Sequence, residues 1–177
     1  MVHLSNLKKY YFINQFNPIH LKKLDKNITL IWRSKYKVID YKIIHKLAIF
    51  CKLNRLDLFL ANNVKLAIKL NLNGAYISAY NKDYRFNSYK LKKNFKIIGS
   101  AHNIFELNIK KTQRINEIFI SPIFKKKNIQ PYGIHKVRHL FNSSEFTKIA
   151  LGGINKQNVK LLRLGIFNGF AGIRYFE

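Results

Sequence analysis

Cysteine occurs once in the 177 residues, at Cys51, so no internal disulfide can form, and a reducing compartment such as the cytoplasm is expected. Acidic residues are also scarce. Eight Asp and Glu against 33 Lys and Arg leave little with which to line a carboxylate metal site. No apolar run approaches the length needed to cross a bilayer. The first ten residues lack the basic, apolar and small-residue order of a secretory signal, so no membrane association is expected. G-x-G-x-x-G fingerprints, P-loops and nucleophile elbows are absent as well, which removes those routes to nucleotide binding and acyl transfer.

The residues that are present are apolar and basic. With 47% hydrophobic and 14% aromatic residues the chain can bury a core, and its length suits one domain spanning 1–177. A net charge of +25 points first to a polyanion partner. The basic residues are, however, spread along the chain among many Asn, Ile, Tyr and Phe, the residues of A/T-rich codons. That pattern favours a compositional origin for the charge over a dedicated nucleic-acid groove. A basic protein that binds nucleic acid remains the alternative from another class.

Three short apolar runs, at 118–120, 149–151 and 169–173, each lead into residues suited to a loop or a helix cap, as successive βα units of a parallel sheet would. Earlier runs at 10–14, 28–32, 58–61, 75–78 and 95–98 raise the strand count to eight. Helical patterns fall between them. Asp40 opens a helix whose apolar face is Ile43, Ile44, Leu47, Ala48 and Cys51, and Asn103 with Glu106 forms a capping box. An internal repeat supports the count: Asn63–Leu66 recurs as Asn158–Leu161, and Asn73–Gly74 as Asn168–Gly169, each read as helix, glycine stop and strand. The architecture expected is a compact (β/α)8 barrel with a shortened first helix and no last helix. A doubly wound open sheet is the alternative.

In such a barrel the site lies beyond the C-terminal ends of the strands. This picks out Arg33, Lys35, Asn62, Asn63, Ser78, Asn81, Ser100, His102, Ser121, Gly152, Gly153 and the stretch through Ile173 and Arg174. Gly152–Gly153 followed by Asn155 is the most specific local signal. A glycine turn lets backbone approach an anion in front of a capped helix. Asn62 reads first as a helix cap, His102 either as a proton-transfer group or as a partner for nearby backbone, and Lys125–Lys127 as a solvated loop.

The segments IGSAH at 98–102, IFISPIF at 118–124, ALGGIN at 150–155, Asn158 and GFAG at 169–172 resemble the family of thiamine phosphate synthase and the thiazole tautomerase TenI. The resemblance implies a (β/α)8 barrel and an activity in thiamine synthesis. A synthase would join a pyrimidine pyrophosphate to a thiazole phosphate with the help of Mg²⁺. A tautomerase, or a non-catalytic binder of thiazole phosphate or thiamine phosphate, is the alternative within the family. By the same resemblance Arg33 and Lys35 match the basic pair that holds pyrophosphate, and Ser100 matches a serine after strand five. Gly153 matches the glycine whose backbone binds thiazole phosphate, with Ile173 and Arg174 completing that cradle, and His102 matches the tautomerase histidine. The aspartates that serve Mg²⁺ fall on Asn62 and Asn81, and Lys125–Lys127, Lys127 among them, replace a threonine-rich loop. Without a last helix over strand eight, a homo-oligomer is expected.

Overall fold

In the computed structural model, which describes residues 4–34, 40–125, 130–141 and 146–177, eight parallel strands close into a barrel in chain order. They are β1 (Lys8–Ile13), β2 (Ile28–Trp32), β3 (Asp57–Ala61), β4 (Gly74–Ile77), β5 (Lys96–Ala101), β6 (Glu117–Ile120), β7 (Thr147–Leu151) and β8 (Gly169–Gly172). The crossovers carry α1 (Pro18–Lys22), α2 (Tyr41–Asn54), α3 (Val64–Lys69), α4 (Ile104–Thr112) and α5 (Gly133–Phe141). Because β8 pairs back onto β1, the open-sheet alternative is excluded. Two crossovers hold only short 3-10 helices, Arg85–Ser88 and Val159–Leu164, so the helical pattern after Asn155 is tighter than an α-helix.

Local chemistry accounts for where the elements begin. The Asp40 side chain accepts the Lys42 and Ile43 N–H groups and so opens α2. Its buried face is Ile44, Leu47, Phe50 and Cys51. Ile43, which spacing alone places inward, is exposed. Asn63, not Asn62, caps α3, through its bond to the Leu66 N–H.

Strand register decides what faces the barrel axis. Phe12 pairs with Ile31, Ile31 with Phe59, Tyr76 with Ile98, and Phe119 with Ile149. These side chains, with Tyr10 and Ala171, form the inner core. The Phe119 ring meets those of Tyr10 and Tyr76 edge-on at 4.9 and 5.5 Å. Side chains alternate along a strand, so moving two or four residues beyond this core reaches Arg33, Ser78, Ser100, His102, Ser121, Gly153 and Ile173 at the C-terminal mouth. The opposite end is closed by Glu117, which accepts bonds from Tyr10 and Lys8. Burial first, and then the Glu117 carboxylate, push the Tyr10 phenol well above its ordinary range.

The repeat is real at the strand entrances. Asn73 Oδ1 accepts the Leu58 N–H of β3 at 3.0 Å, and its carbonyl accepts the Lys96 N–H of β5 at 3.0 Å. Asn168 does the same on the other side, with the Lys148 N–H of β7 and the Lys8 N–H of β1, each at 3.0 Å. The glycine that follows is needed in both copies. A Cβ at Gly74 would stand 2.2 Å from the Lys96 carbonyl oxygen, and one at Gly169 would stand 2.6 Å from that of Lys8. At the other end the copies diverge, because Asn63 starts an α-helix and Asn158 a 3-10 turn.

After β8 the chain makes a turn in which the Phe176 N–H donates to the Ile173 carbonyl. Tyr175 and Phe176 pack their rings on Phe170 of β8, and Phe176 also meets Tyr11 of β1 at 5.0 Å. Both Tyr11 and Phe170 are thereby buried. This aromatic hook covers the β8–β1 strand pair.

Candidate active site

A cavity of ≈ 840 Å³ opens at the C-terminal mouth of the barrel. Its floor is apolar, made of Phe12, Tyr76, Leu151 and Ala171, and its rim is polar and cationic, with Arg33, Ser78, Ser100, His102, Ser121, Lys125 and Arg174. Such a site suits a flat ring carrying an anionic group. Of the residues picked out in the sequence, it gathers Arg33, Ser78, Ser100, His102, Ser121, Gly152, Gly153, Ile173 and Arg174. Lys35 and Lys127 lie outside the described residues. Asn62 and Asn81 are not on the wall but behind it.

The glycine pair has no substitute. Gly152 and Gly153 have φ values of +93° and +72°, in the left-handed region. A Cβ on Gly153 would stand 2.7 Å from the Phe124 carbonyl oxygen, and one on Gly152 2.9 Å from Ser121 Oγ. The loop after β7 is pinned from the other side, where Asn158 Nδ2 donates to the Gly153 carbonyl at 2.8 Å and its Oδ1 accepts the Asn155 N–H. Backbone therefore lies bare against the cavity, facing Ile173 and Arg174 after β8.

His102 is held at three points. Its N–H donates to Glu106, its carbonyl accepts the Tyr132 hydroxyl, and its ring Nδ1 lies 2.8 Å from the Ser121 carbonyl. A carbonyl only accepts, so in the neutral ring Nδ1 carries the proton and Nε2 keeps the lone pair. Asn103 still caps α4 through the Glu106 N–H, but the Glu106 carboxylate reaches His102 and not the cap residue.

On the opposite wall, Asn62 Oδ1 accepts the Ser78 N–H at 2.9 Å and Asn81 Nδ2 at 3.2 Å, while its Nδ2 donates to Ser78 Oγ at 2.8 Å and to the Tyr80 hydroxyl at 2.9 Å. Asn81 Oδ1 is taken by the Asp83 N–H. Beneath this loop Lys110, fully buried, donates to the Ser78 and Asn81 carbonyls at 2.8 Å and to Gln113 Oε1 at 2.9 Å. Burial pulls its ammonium down to about 8. Its three N–H bonds nevertheless suit the charged form, since a neutral amine has only two to offer.

These residues do not fit Mg²⁺. Both amide oxygens at the expected metal positions are engaged by N–H donors, neither position carries a carboxylate, and among the described residues no group of three or more His, Cys, Asp or Glu gathers around a common point. Sequence reasoning missed Tyr80, Tyr132 and Lys110. The signal for Lys110 was its spacing: three residues after Leu107 it falls on the core-facing stripe of α4.

Comparison with known proteins agrees with the barrel fold. The profile of a family described as Thiamine monophosphate synthase matches residues 30–176. A thiamine-phosphate synthase from Prochlorococcus marinus (strain AS9601) is 30% identical over 122 residues, covering 66% of this chain and 34% of that protein. Another, from Prochlorococcus marinus subsp. pastoris, is 32% identical over 112 residues, covering 60% and 32%. The chain thus spans about a third of the length of these relatives. Among solved structures, the thiamine phosphate pyrophosphorylase from Pyrococcus furiosus superposes with a TM-score of 0.74 at 16% identity, covering 97% of this chain and 88% of that one. The enzyme of the same name from Bacteroides thetaiotaomicron gives 0.62 at 18%, covering 96% and 83%. At these identities the superpositions establish the barrel.

Proposed function

This chain belongs to the thiamine monophosphate synthase family, matched over residues 30–176, and from that premise we propose that it joins a pyrimidine pyrophosphate to a thiazole phosphate. The observation that carries the reading is the mouth of the barrel, where Arg33, Ser100 and the Gly152–Gly153 turn share one cavity over an aromatic floor. The thiazole phosphate lies with its phosphate against Gly153, Ile173 and Arg174. The pyrophosphate of the other substrate lies toward Arg33 and Ser100.

In the reaction the bond from the pyrimidine methylene carbon to the pyrophosphate oxygen breaks, the pyrophosphate keeping the electron pair, and a new bond forms from the carbon to the thiazole. Arg33 and Lys125, both on the cavity wall, offset the charge that builds on the leaving oxygen. Held close together above an apolar floor, the two substrates react as one unit. Mg²⁺, which the family resemblance implies, finds no carboxylate ligands at Asn62 and Asn81.

A second reading, proton transfer on a bound thiazole ring, is favoured by one observation. The His102 ring is anchored through Nδ1 on the Ser121 carbonyl, which frees Nε2 as a base. Incubation with both substrates separates the two. Thiamine phosphate formation that is lost in Gly153→Asp supports the synthase. Isomerisation of the thiazole alone, lost in His102→Asn, supports the tautomerase. A thermal shift given only by an oligonucleotide, and falling steeply with salt, would overturn both.

A further inference from the structure

We propose that Ser78 and Tyr80 form a metal-free binding wall for the diphosphate group, their hydroxyl protons turned toward the cavity by Asn62 in place of a divalent cation. The inference rests on the synthase reading above. The orientation of the Asn62 amide is not open to choice. The Ser78 main-chain N–H can only donate, so the Asn62 atom 2.9 Å away is the oxygen. Nδ2 is then the atom that meets Ser78 Oγ and the Tyr80 hydroxyl.

An amide nitrogen donates and does not accept. Each hydroxyl therefore spends an oxygen lone pair on Asn62 and must point its own proton elsewhere. Ser78 and Tyr80 both line the cavity, so an acceptor placed there meets two O–H donors. A diphosphate offers nothing but acceptors. An aspartate at position 62 would reverse the arrangement: it would take both protons, turn oxygen lone pairs toward the cavity, and create a surface that suits a cation. The amide and the carboxylate thus specify opposite occupants.

The wall is also rigid from behind. Lys110 holds the Ser78 and Asn81 carbonyls, and Gln113 Nε2 holds those of Asn81 and Asp83 at 3.0 and 2.7 Å. Tyr80 is 77% exposed, yet its hydroxyl is tied to Asn62. Donors fixed before the ligand arrives lose little entropy when it binds. Net positive charge comes from Arg33, which sits over the Phe12 ring at 5.4 Å just past the end of β2, the strand next to β3.

Calorimetric titration of the full chain with inorganic pyrophosphate, and separately with thiazole phosphate, tests this in chelator and in Mg²⁺. Wild type is expected to bind pyrophosphate in chelator. Tyr80→Phe, a surface ring that keeps its shape, should weaken pyrophosphate about tenfold and leave thiazole phosphate unchanged. Asn62→Asp should weaken it at least as much in chelator. Pyrophosphate binding by wild type that appears only with Mg²⁺, or a Tyr80→Phe protein of undiminished affinity, overturns the inference while thiazole phosphate binding leaves the synthase reading standing. If neither ligand binds under any condition, both fall together.

Discussion

Lys110 donates three hydrogen bonds from a position with no exposure, and burial draws its ammonium down from 10.5 to about 8. Between those two pH values the unfolded chain binds more protons than the folded one. Folding is therefore opposed by desolvation of the charge below pH 8, and the opposition is relieved as pH rises toward 10.5. Compared with Lys110→Met, which cannot titrate, wild type should gain about 3 kcal/mol of unfolding free energy across that window, read from urea denaturation at a series of pH values. Parallel curves for the two proteins would refute it. Residues of the site differ in how legible they are in the sequence. Gly152, Gly153, Ser100 and Arg33 stand out because a glycine pair, a small hydroxyl or a base just past a strand end falls where a barrel keeps its site. Tyr80 does not, because a tyrosine in a polar loop looks like solvated surface until its three-dimensional partners are known, and Lys110 is marked only by its three-residue spacing from Leu107.

At the scale of the element, the asparagines at the entrances of β4 and β8 each tie their strand to both neighbours. Removing either side chain leaves one strand N–H, of Leu58 or Lys148, without its partner. Asn73→Ala and Asn168→Ala should each cost about 1 kcal/mol in chemical denaturation. Because the two sites lie on opposite sides of the barrel and share no partner, the double variant should cost their sum to within about 0.5 kcal/mol. A sum that falls well short would mean the clasps are not independent. Strands and their order are legible because apolar runs of this length, each followed by glycine or a cap, have few other fates in a chain this size. The crossovers are less so. Val159–Leu164 winds as a 3-10 helix after an Asn158 whose side chain turns back onto Gly153, a contact that spacing does not display.

For the whole molecule, charge is the unbalanced force. Against a net charge of +25, the described residues form three ion pairs, Lys8–Glu117, Lys9–Asp25 and Arg85–Asp83. Asp83 is held near 2 by Arg85, but the pair is exposed and adds little. Repulsion among the excess cations then dominates. Raising NaCl from ~0.05 to ~0.5 M should raise the melting temperature by several degrees, the reverse of what a protein held together by ion pairs would do. A melting temperature that falls would contradict this.

The two asparagine clasps carry one more consequence. The carbonyl of Asn73 is satisfied by Lys96, and that of Asn168 by Lys8, so the last strand of each four-strand half begins on an acceptor that the other half fills. The exposed segment around Lys92 and Lys93 lies between the halves. Fragments 1–92 and 93–177, produced together, should therefore find one another and reconstitute the closed barrel, each half acting as the template on which its counterpart folds. Produced alone, each should remain soluble only by pairing with a second copy of itself. Gel filtration and circular dichroism of the mixed and separate fragments would distinguish the heterodimer from its two competitors.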